Sequence, residues 1–292
     1  MKIKPVFLAV MAALAVLLIA AIIMFYIRSP VLIVTEESFL QLYSAQRVAK
    51  EASKTAITLF RQVKTVSVAN EAGYDIVPVA IMDVSSHPYC VIFPLRFANS
   101  AKLFNEQNPE IIVIILEGRY LDNEKPVENA IGSNISDLYI YKTDINDDFY
   151  NAGIASIALD QGKNGKVIVF TDKNMPQARE SFLRGLHDRG NLLETRFFTS
   201  FSQYSDIPGL SCIVMAGSGS EILERRMNVP VILFTWIEPS LLPMDVVLVV
   251  DDSPWAQANQ AVKMAAAGEK NGLIKSKFRF LDMKKINRRL LR

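Results

Sequence analysis

The sequence predicts an α/β protein with mostly parallel, doubly wound sheet, preceded by one N-terminal transmembrane helix. Three observations carry that expectation. Residues 6–27 form an unbroken run of 22 apolar residues. From Pro30 onward, short β-branched runs recur, with the composition of strands buried on both faces. Between several of them lie amphipathic stretches long enough for crossover helices, which implies right-handed βαβ units.

The run VFLAVMAALAVLLIAAIIMFYI (6–27) spans roughly 33 Å as a helix, enough for the hydrocarbon core of a bilayer. Lys2 and Lys4 precede it, while Arg28, Glu36 and Glu37 follow. The positive-inside bias therefore predicts a cytoplasmic N-terminus and an extracytoplasmic body. A secretory signal has a shorter apolar region, roughly 7 to 15 residues, ending in small residues. MFYIRSP is a poor cleavage site, so residues 1–29 read as a cytoplasmic n-region and uncleaved signal-anchor, with a cleaved signal as the competing reading.

VLIVT (31–35) is the first strand. Phe39, Leu42, Ala45, Ala49, Ala52, Ala56, Phe60 and Val63 recur at three- and four-residue spacing and predict one long amphipathic helix. Further strands are expected at 76–82 (IVPVAIM), 89–95, 111–117, 137–143, 166–172, 211–217, 229–235 and 244–250. Helices are expected at 148–161, 176–189, 219–227 and 255–267. By pattern alone these elements fit either one wide sheet or two smaller α/β lobes.

A chain of 292 residues, 50% hydrophobic and 21% charged, is long enough for one large or two medium domains with ample core. Its net charge of +2 is unevenly spread. Residues 270–292 hold nine Lys/Arg against Asp282, whereas residues 29–269 carry 20 basic and 29 acidic residues. A body that acidic is a poor nucleic-acid binder. Two cysteines (Cys90, Cys212) and two histidines (His87, His187) exclude a disulfide scaffold, a four-cysteine zinc site and His-rich metal sites. The motifs GxSxG, GxxxxGK[ST] and HExxH do not occur, and no GxGxxG opens a helix after a strand. His87 beside Cys90 reads as a loop histidine and a buried cysteine. No enzyme, cofactor or metal is expected.

From Asp148 the chain reads DFYNAGIASIALDQGKNGKVIVFTDKNMPQARESFLRGLHDRGNLLETRFF. An aspartate five residues before a helical glycine, small residues, a Gly-rich turn, an apolar strand and an Arg/Phe/Gly-Leu helix resemble the middle of type I periplasmic-binding-protein-like domains. These include ribose-binding proteins and the effector domains of the lactose-repressor family. VPVILFT and DVVLVVDDSPWAQANQAVKMAAAGEKNG resemble that family's return segment. A repressor reading fails, because the apolar run stands where a DNA-binding helix-turn-helix would be.

The resemblance implies lobe 1 over 31–145 plus 245–270, lobe 2 over 146–244 plus 275–282, and a basic tail over 283–292. Three crossings would form a hinge, with a small ligand between the lobes. The function it implies is a membrane-anchored, extracytoplasmic solute-binding or sensing protein that passes its ligand to a transporter or signalling partner. A degenerate envelope scaffold that binds no ligand is the alternative.

In open parallel sheets, ligands bind beyond the carboxyl ends of the strands. A sugar or nucleoside needs aromatic faces to stack on and carboxylate or Arg groups to pair with hydroxyls. That chemistry selects Asp83, Tyr120, Asp148, Arg179, Ser218, Trp236, Asp252 and Trp255 as ligand-binding candidates. Each has a plainer reading. Asp148 suits a helix cap, Arg179 a surface salt bridge, and Trp236 and Trp255 core or hinge packing. Ser218, in Ala216-Gly217-Ser218-Gly219-Ser220, suits a tight strand-to-helix turn. Sugar-binding relatives usually carry polar residues such as Asn-Asp there, so a sugar ligand is not implied at that position. The basic C-terminus reads as a final strand and a solvated tail, or as a tail lying on anionic lipid or a partner.

Overall fold

The computed structural model describes residues 5–43, 45–119, 125–132, 135–160, 165–171, 175–190, 193–204, 207–217, 229–234 and 245–282. It opens with α1 (Pro5–Ile27), whose 10–27 portion is long and apolar enough to cross a membrane and buries no residue against the body.

The first lobe follows as β1 (Val31–Glu36), α2 (Glu37–Tyr43), α3 (Ala45–Leu59), β2 (Val63–Val68), α4 (Ile76–Val84), β3 (Cys90–Pro94), α5 (Ala98–Gln107), β4 (Ile112–Gly118), α6 (Pro126–Ile131) and β5 (Tyr139–Thr143). The second comprises α7 (Ile145–Asp160), β6 (Lys166–Thr171), α8 (Pro176–His187), β7 (Glu194–Phe198), β8 (Leu210–Ala216), β9 (Val231–Phe234) and β10 (Val246–Asp251). Then α9 (Pro254–Ala266) and β11 (Asn271–Ile274) return to the first lobe, and β12 (Lys277–Phe280) to the second.

Among the described residues the strands form two six-stranded sheets of matching order, β11-β5-β4-β3-β1-β2 and β12-β10-β9-β8-β6-β7. The recorded pairings are parallel except β10 with β12. The fold is the two-lobed, doubly wound architecture expected from the sequence. The chain passes between lobes three times, after β5, after β10 and after β11.

Burial explains why the strands read as apolar runs. VLIV of β1, CVIF of β3 and VVLVV of β10 are all buried, because helices or loops cover both faces of each sheet. One face of the first sheet packs on α4, α5 and α6, the other on α2, α3 and α9. In the second, α7 and α8 cover one face and approach so closely that a Cβ on Gly153 would meet the Phe182 carbonyl oxygen at 2.4 Å. A Cβ on Gly185 would meet the Tyr150 carbonyl oxygen at 2.1 Å, so glycine at both positions sets the spacing of the helices.

Three expectations are corrected. Residues 76–82 are not a strand but most of α4: Pro78 sits in its first turn, where its missing N–H is not needed, and Val77, Pro78 and Ile81 bury one face. The segment is apolar on its outer face as well, so it carries no periodicity that separates a buried strand from a helix. The single helix expected over 39–63 is two helices, and Val63 opens β2 instead. Residues 246–251 leave the first lobe: β10, buried along its whole length, pairs with β9 and β12 in the second sheet, and of the segment 245–270 only α9 packs on the first. The expected helix at 219–227 and the basic tail at 283–292 lie outside the described residues.

Candidate functional site

The carboxyl ends of β1, β3 and β4 and the start of α9 enclose a cavity of about 300 Å³. Thr35 and Glu36 end β1, and Arg96 lies in the short 3-10 turn (Leu95–Phe97) after β3. Arg119 follows Gly118, whose φ of +76° lets β4 turn sharply at its end without the strain a side chain would add. Asp252, Ser253 and Gln257 come from the second crossing and the first turns of α9. Phe39, Pro94, Phe97 and Leu116 complete an apolar floor.

The charged groups there are organised in pairs. Arg119 binds Asp252, both side chains being largely buried, and Arg96 binds Glu36 while also donating to the Asn70 carbonyl. Burial pushes the Asp252 carboxyl above the usual carboxylate range, with Arg119 opposing that shift and Asp251 adding to it. Glu117, also at the end of β4, is raised by burial as well; it accepts from the Val127 amide at 3.2 Å and lies 3.9 Å from Lys142 Nζ.

Asp148 occupies the first turn of α7, beside the first crossing, and is fully buried. Its Oδ2 accepts from Ser276 Oγ at 2.6 Å, in the third crossing, while its Oδ1 has no hydrogen-bond partner among the described residues. Burial pushes its pKa up to about 8; the Ser276 bond opposes this, Asp252 reinforces it, and Arg119 again opposes it. Near neutral pH the group is therefore largely a neutral carboxylic acid, able to donate as well as accept. Asp148, Arg119 and Asp252 form one electrostatic cluster where the crossings meet.

Beneath the cavity lies an aromatic stack. Trp255 packs on Tyr43 at 5.1 Å and on Phe39 at 5.9 Å between ring centroids, and donates from Nε1 to Thr65 Oγ1 at 3.0 Å. Tyr43 donates to Asp251 and accepts from Ser253 Oγ at 2.8 Å; burial, then Asp251, raises its phenol strongly. Ser253 also caps α9 by accepting from the Ala256 amide, and Pro254 fills the first helical position. Gln257 Nε2 reaches Thr143 Oγ1 at the end of β5, 2.9 Å away.

The sequence-selected residues do not all converge. Asp252 lines the cavity, and Asp148 lies in the cluster beside it. Asp83 is corrected: it stands exposed in the last turn of α4, on the approach to the amino end of β3 rather than beyond a strand's carboxyl end. Trp255 has no exposed surface and is a packing residue of the first lobe. Arg179 sits on α8 and donates from Nε and Nη2 to Thr171 Oγ1 at 3.2 and 3.1 Å, with its guanidinium 5.4 Å from the Phe197 ring centroid. It is committed to the end of β6 rather than to a carboxylate. Tyr120, Ser218 and Trp236 lie outside the described residues.

Glu36, Arg96, Arg119 and Gln257 line the cavity without having been selected. Glu36 and Arg119 directly follow apolar strand runs, a signal the sequence carries. Arg96 lies behind a proline and a 3-10 turn, and Gln257 faces the site only because α9 docks on the first sheet.

Among the described residues no cluster of His, Cys, Asp or Glu is placed to hold a metal ion. Cys90 and Cys212 are free and fully buried; burial raises both thiols, Cys212 to about 12, so neither offers a thiolate nucleophile.

No protein-family model matches the chain, and no curated protein matches it in sequence. Solved structures do match in fold. A transcriptional activator of the comK gene from Bacillus halodurans aligns at 12% identity and a TM-score of 0.55, over 90% of this chain and 93% of that one. An ABC transporter solute-binding protein from Conexibacter woesei DSM 14684 aligns at 12% identity and 0.54, over 84% of each chain. These likenesses and the strand orders define the fold as type I periplasmic-binding-protein-like.

Proposed function

We propose that the chain is a membrane-anchored, extracytoplasmic solute-binding or sensing protein whose two lobes close over a small ligand and present it to a transporter or signalling partner. The anchoring rests on α1 and its flanking charges, and the closure on three crossings that act as a hinge. One observation carries the binding reading: Asp148, fully buried, keeps Oδ1 without a partner among the described residues, beside the Arg119–Asp252 pair. An unpaired buried polar atom is costly, and a ligand hydroxyl or carbonyl reaching it would remove that cost. Asp148 and Asp252 are thus the ligand-binding residues of choice. Tyr120, Ser218, Arg179 and Trp236 are second-rank candidates.

The alternative, a scaffold that binds no small ligand, has its own support. The two cations that line the cavity among the described residues are already engaged, Arg119 with Asp252 and Arg96 with Glu36. Thermal-shift measurement of the full chain in detergent, against sugars, nucleosides, amino acids and short peptides, separates the two. A ligand at 100 times its dissociation constant adds about 2.7 kcal/mol. The binding reading requires such a shift, and its loss in Asp148→Ala, which removes both side-chain oxygens. A flat response across all four classes favours the scaffold.

A further inference from the structure

Only Arg28, Ser29 and Pro30 separate α1 from β1, a strand inside the first sheet whose first five residues are buried. Three residues reach at most about 11 Å. That reach is not slack. Arg61 donates from Nη1 to the Ser29 carbonyl at 3.0 Å, the Tyr89 amide donates to the Pro30 carbonyl at 2.8 Å, and the Val31 amide donates to the Gln62 carbonyl at 2.9 Å. The linker is thus bonded to the leading ends of β2 and β3.

The turn that ends α3 completes the joint. Phe60 takes a φ of +52°, a left-handed conformation that glycine adopts at lower cost, and the Arg61 amide reaches back to the Ala56 carbonyl at 3.1 Å. This places the Phe60 ring 5.8 Å from that of Phe25, near the end of α1, with the Arg28 guanidinium 5.4 Å from the Phe60 centroid. One turn earlier on α3, Ile57 is 78% exposed, and Phe60 itself is 38% exposed. Apolar Ile57 and Phe60 beside the cations Arg28 and Arg61 have the composition of a surface that meets lipid headgroups.

We infer that the amino-terminal edge of the first sheet, around Ile57, Phe60 and Arg61, rests on the lipid surface itself, so that the first lobe is held against the bilayer. The occupant is lipid because the apolar helix leaves the body at this edge. The inference rests on the anchoring reading above and adds an orientation to it. From this edge β1 runs six residues, about 20 Å, to Glu36. The cavity therefore opens away from the membrane, and closure moves the second lobe.

The test places a nitroxide on Ile57→Cys and, separately, on Leu183→Cys, an exposed position of α8, in the full chain reconstituted into phosphatidylethanolamine–phosphatidylglycerol nanodiscs. The native thiols are buried and stay unlabelled. Collision rates with oxygen and with a water-soluble nickel chelate are compared. Docking on lipid gives a several-fold higher oxygen-to-nickel ratio at 57 than at 183. Equal ratios overturn the inference, and so does a label at 57 shielded from both reagents, which would mean a protein cover. Flotation with vesicles of the same lipids distinguishes the failures. A chain that floats but has a water-exposed label at 57 loses only the docking, whereas a chain that does not float loses the anchor and the docking together.

Discussion

Ser276 Oγ donates to Asp148 Oδ2 at 2.6 Å and so ties the third interlobe crossing to the helix that follows the first. The carboxyl it holds has a pKa of about 8, against an ordinary 3.8, because burial disfavours its charged form. A carboxyl raised in the folded state adds stability that is complete below pH 3.8 and lost as pH rises towards 8. Between those values the folded protein keeps a proton that the unfolded chain has released, so stability falls by up to about 1.4 kcal/mol per pH unit from this group alone. Denaturant unfolding of wild type and Asp148→Asn from pH 4 to 9 checks this. The wild type should lose stability relative to the variant up to about pH 8 and run parallel to it above.

The Arg119–Asp252 pair yields a second expectation. Both side chains are mostly out of water, so removing Arg119 leaves the Asp252 carboxylate buried without this cation, and removing Asp252 takes a carboxylate from the buried guanidinium. Arg119→Met and Asp252→Leu should each cost about 3–5 kcal/mol, whereas the double variant should recover most of that loss. A double-mutant cycle by chemical denaturation measures the coupling. If the single variants cost less than about 1 kcal/mol, solvent reaches the pair and the cavity is open to water at Arg119 and Asp252.

Legibility in the sequence followed what each feature depends on. β1, β3, β4, β6, β8, β9 and β10 were readable because a strand buried on both faces must be a short apolar run. β2, β7 and β11 were not, since VKTVSV, ETRFF and NGLI keep exposed or half-buried positions at sheet edges. The segment 76–82 misled because α4 leaves Ile76 and Val79 in solvent, so its composition matched a strand while its burial was helical. At the site, Asp252 was legible from its place after β10. The partnership of Trp255 with Thr65, 190 residues away, was not, because no local pattern encodes a contact that only the docking of α9 creates.

That contact can be tested against a ligand role for Trp255. Trp255→Phe keeps the stack on Tyr43 and Phe39 but removes the bond to Thr65, and should cost about 1–3 kcal/mol, while Trp255→Ala should cost about 3–5 kcal/mol. Because the ring is wholly buried, affinity for any ligand found in the thermal-shift screen should stay within about twofold in Trp255→Phe. A tenfold loss of affinity would return this residue to the binding site.

The glycine contacts between α7 and α8 set the last expectation. Gly153 and Gly185 face each other's helices so closely that one added methyl must push backbone, not a flexible side chain. Gly153→Ala and Gly185→Ala should each destabilise by about 1–3 kcal/mol, although alanine is the better helix former. Both substitutions separate the same two helices, so the second should cost less once the first is present, and the pair should fall short of additivity. Thermal unfolding of the two single variants and the double variant measures this. If either alanine raised the melting temperature, helix propensity would outweigh the clash, and α7 and α8 would have room that these distances deny.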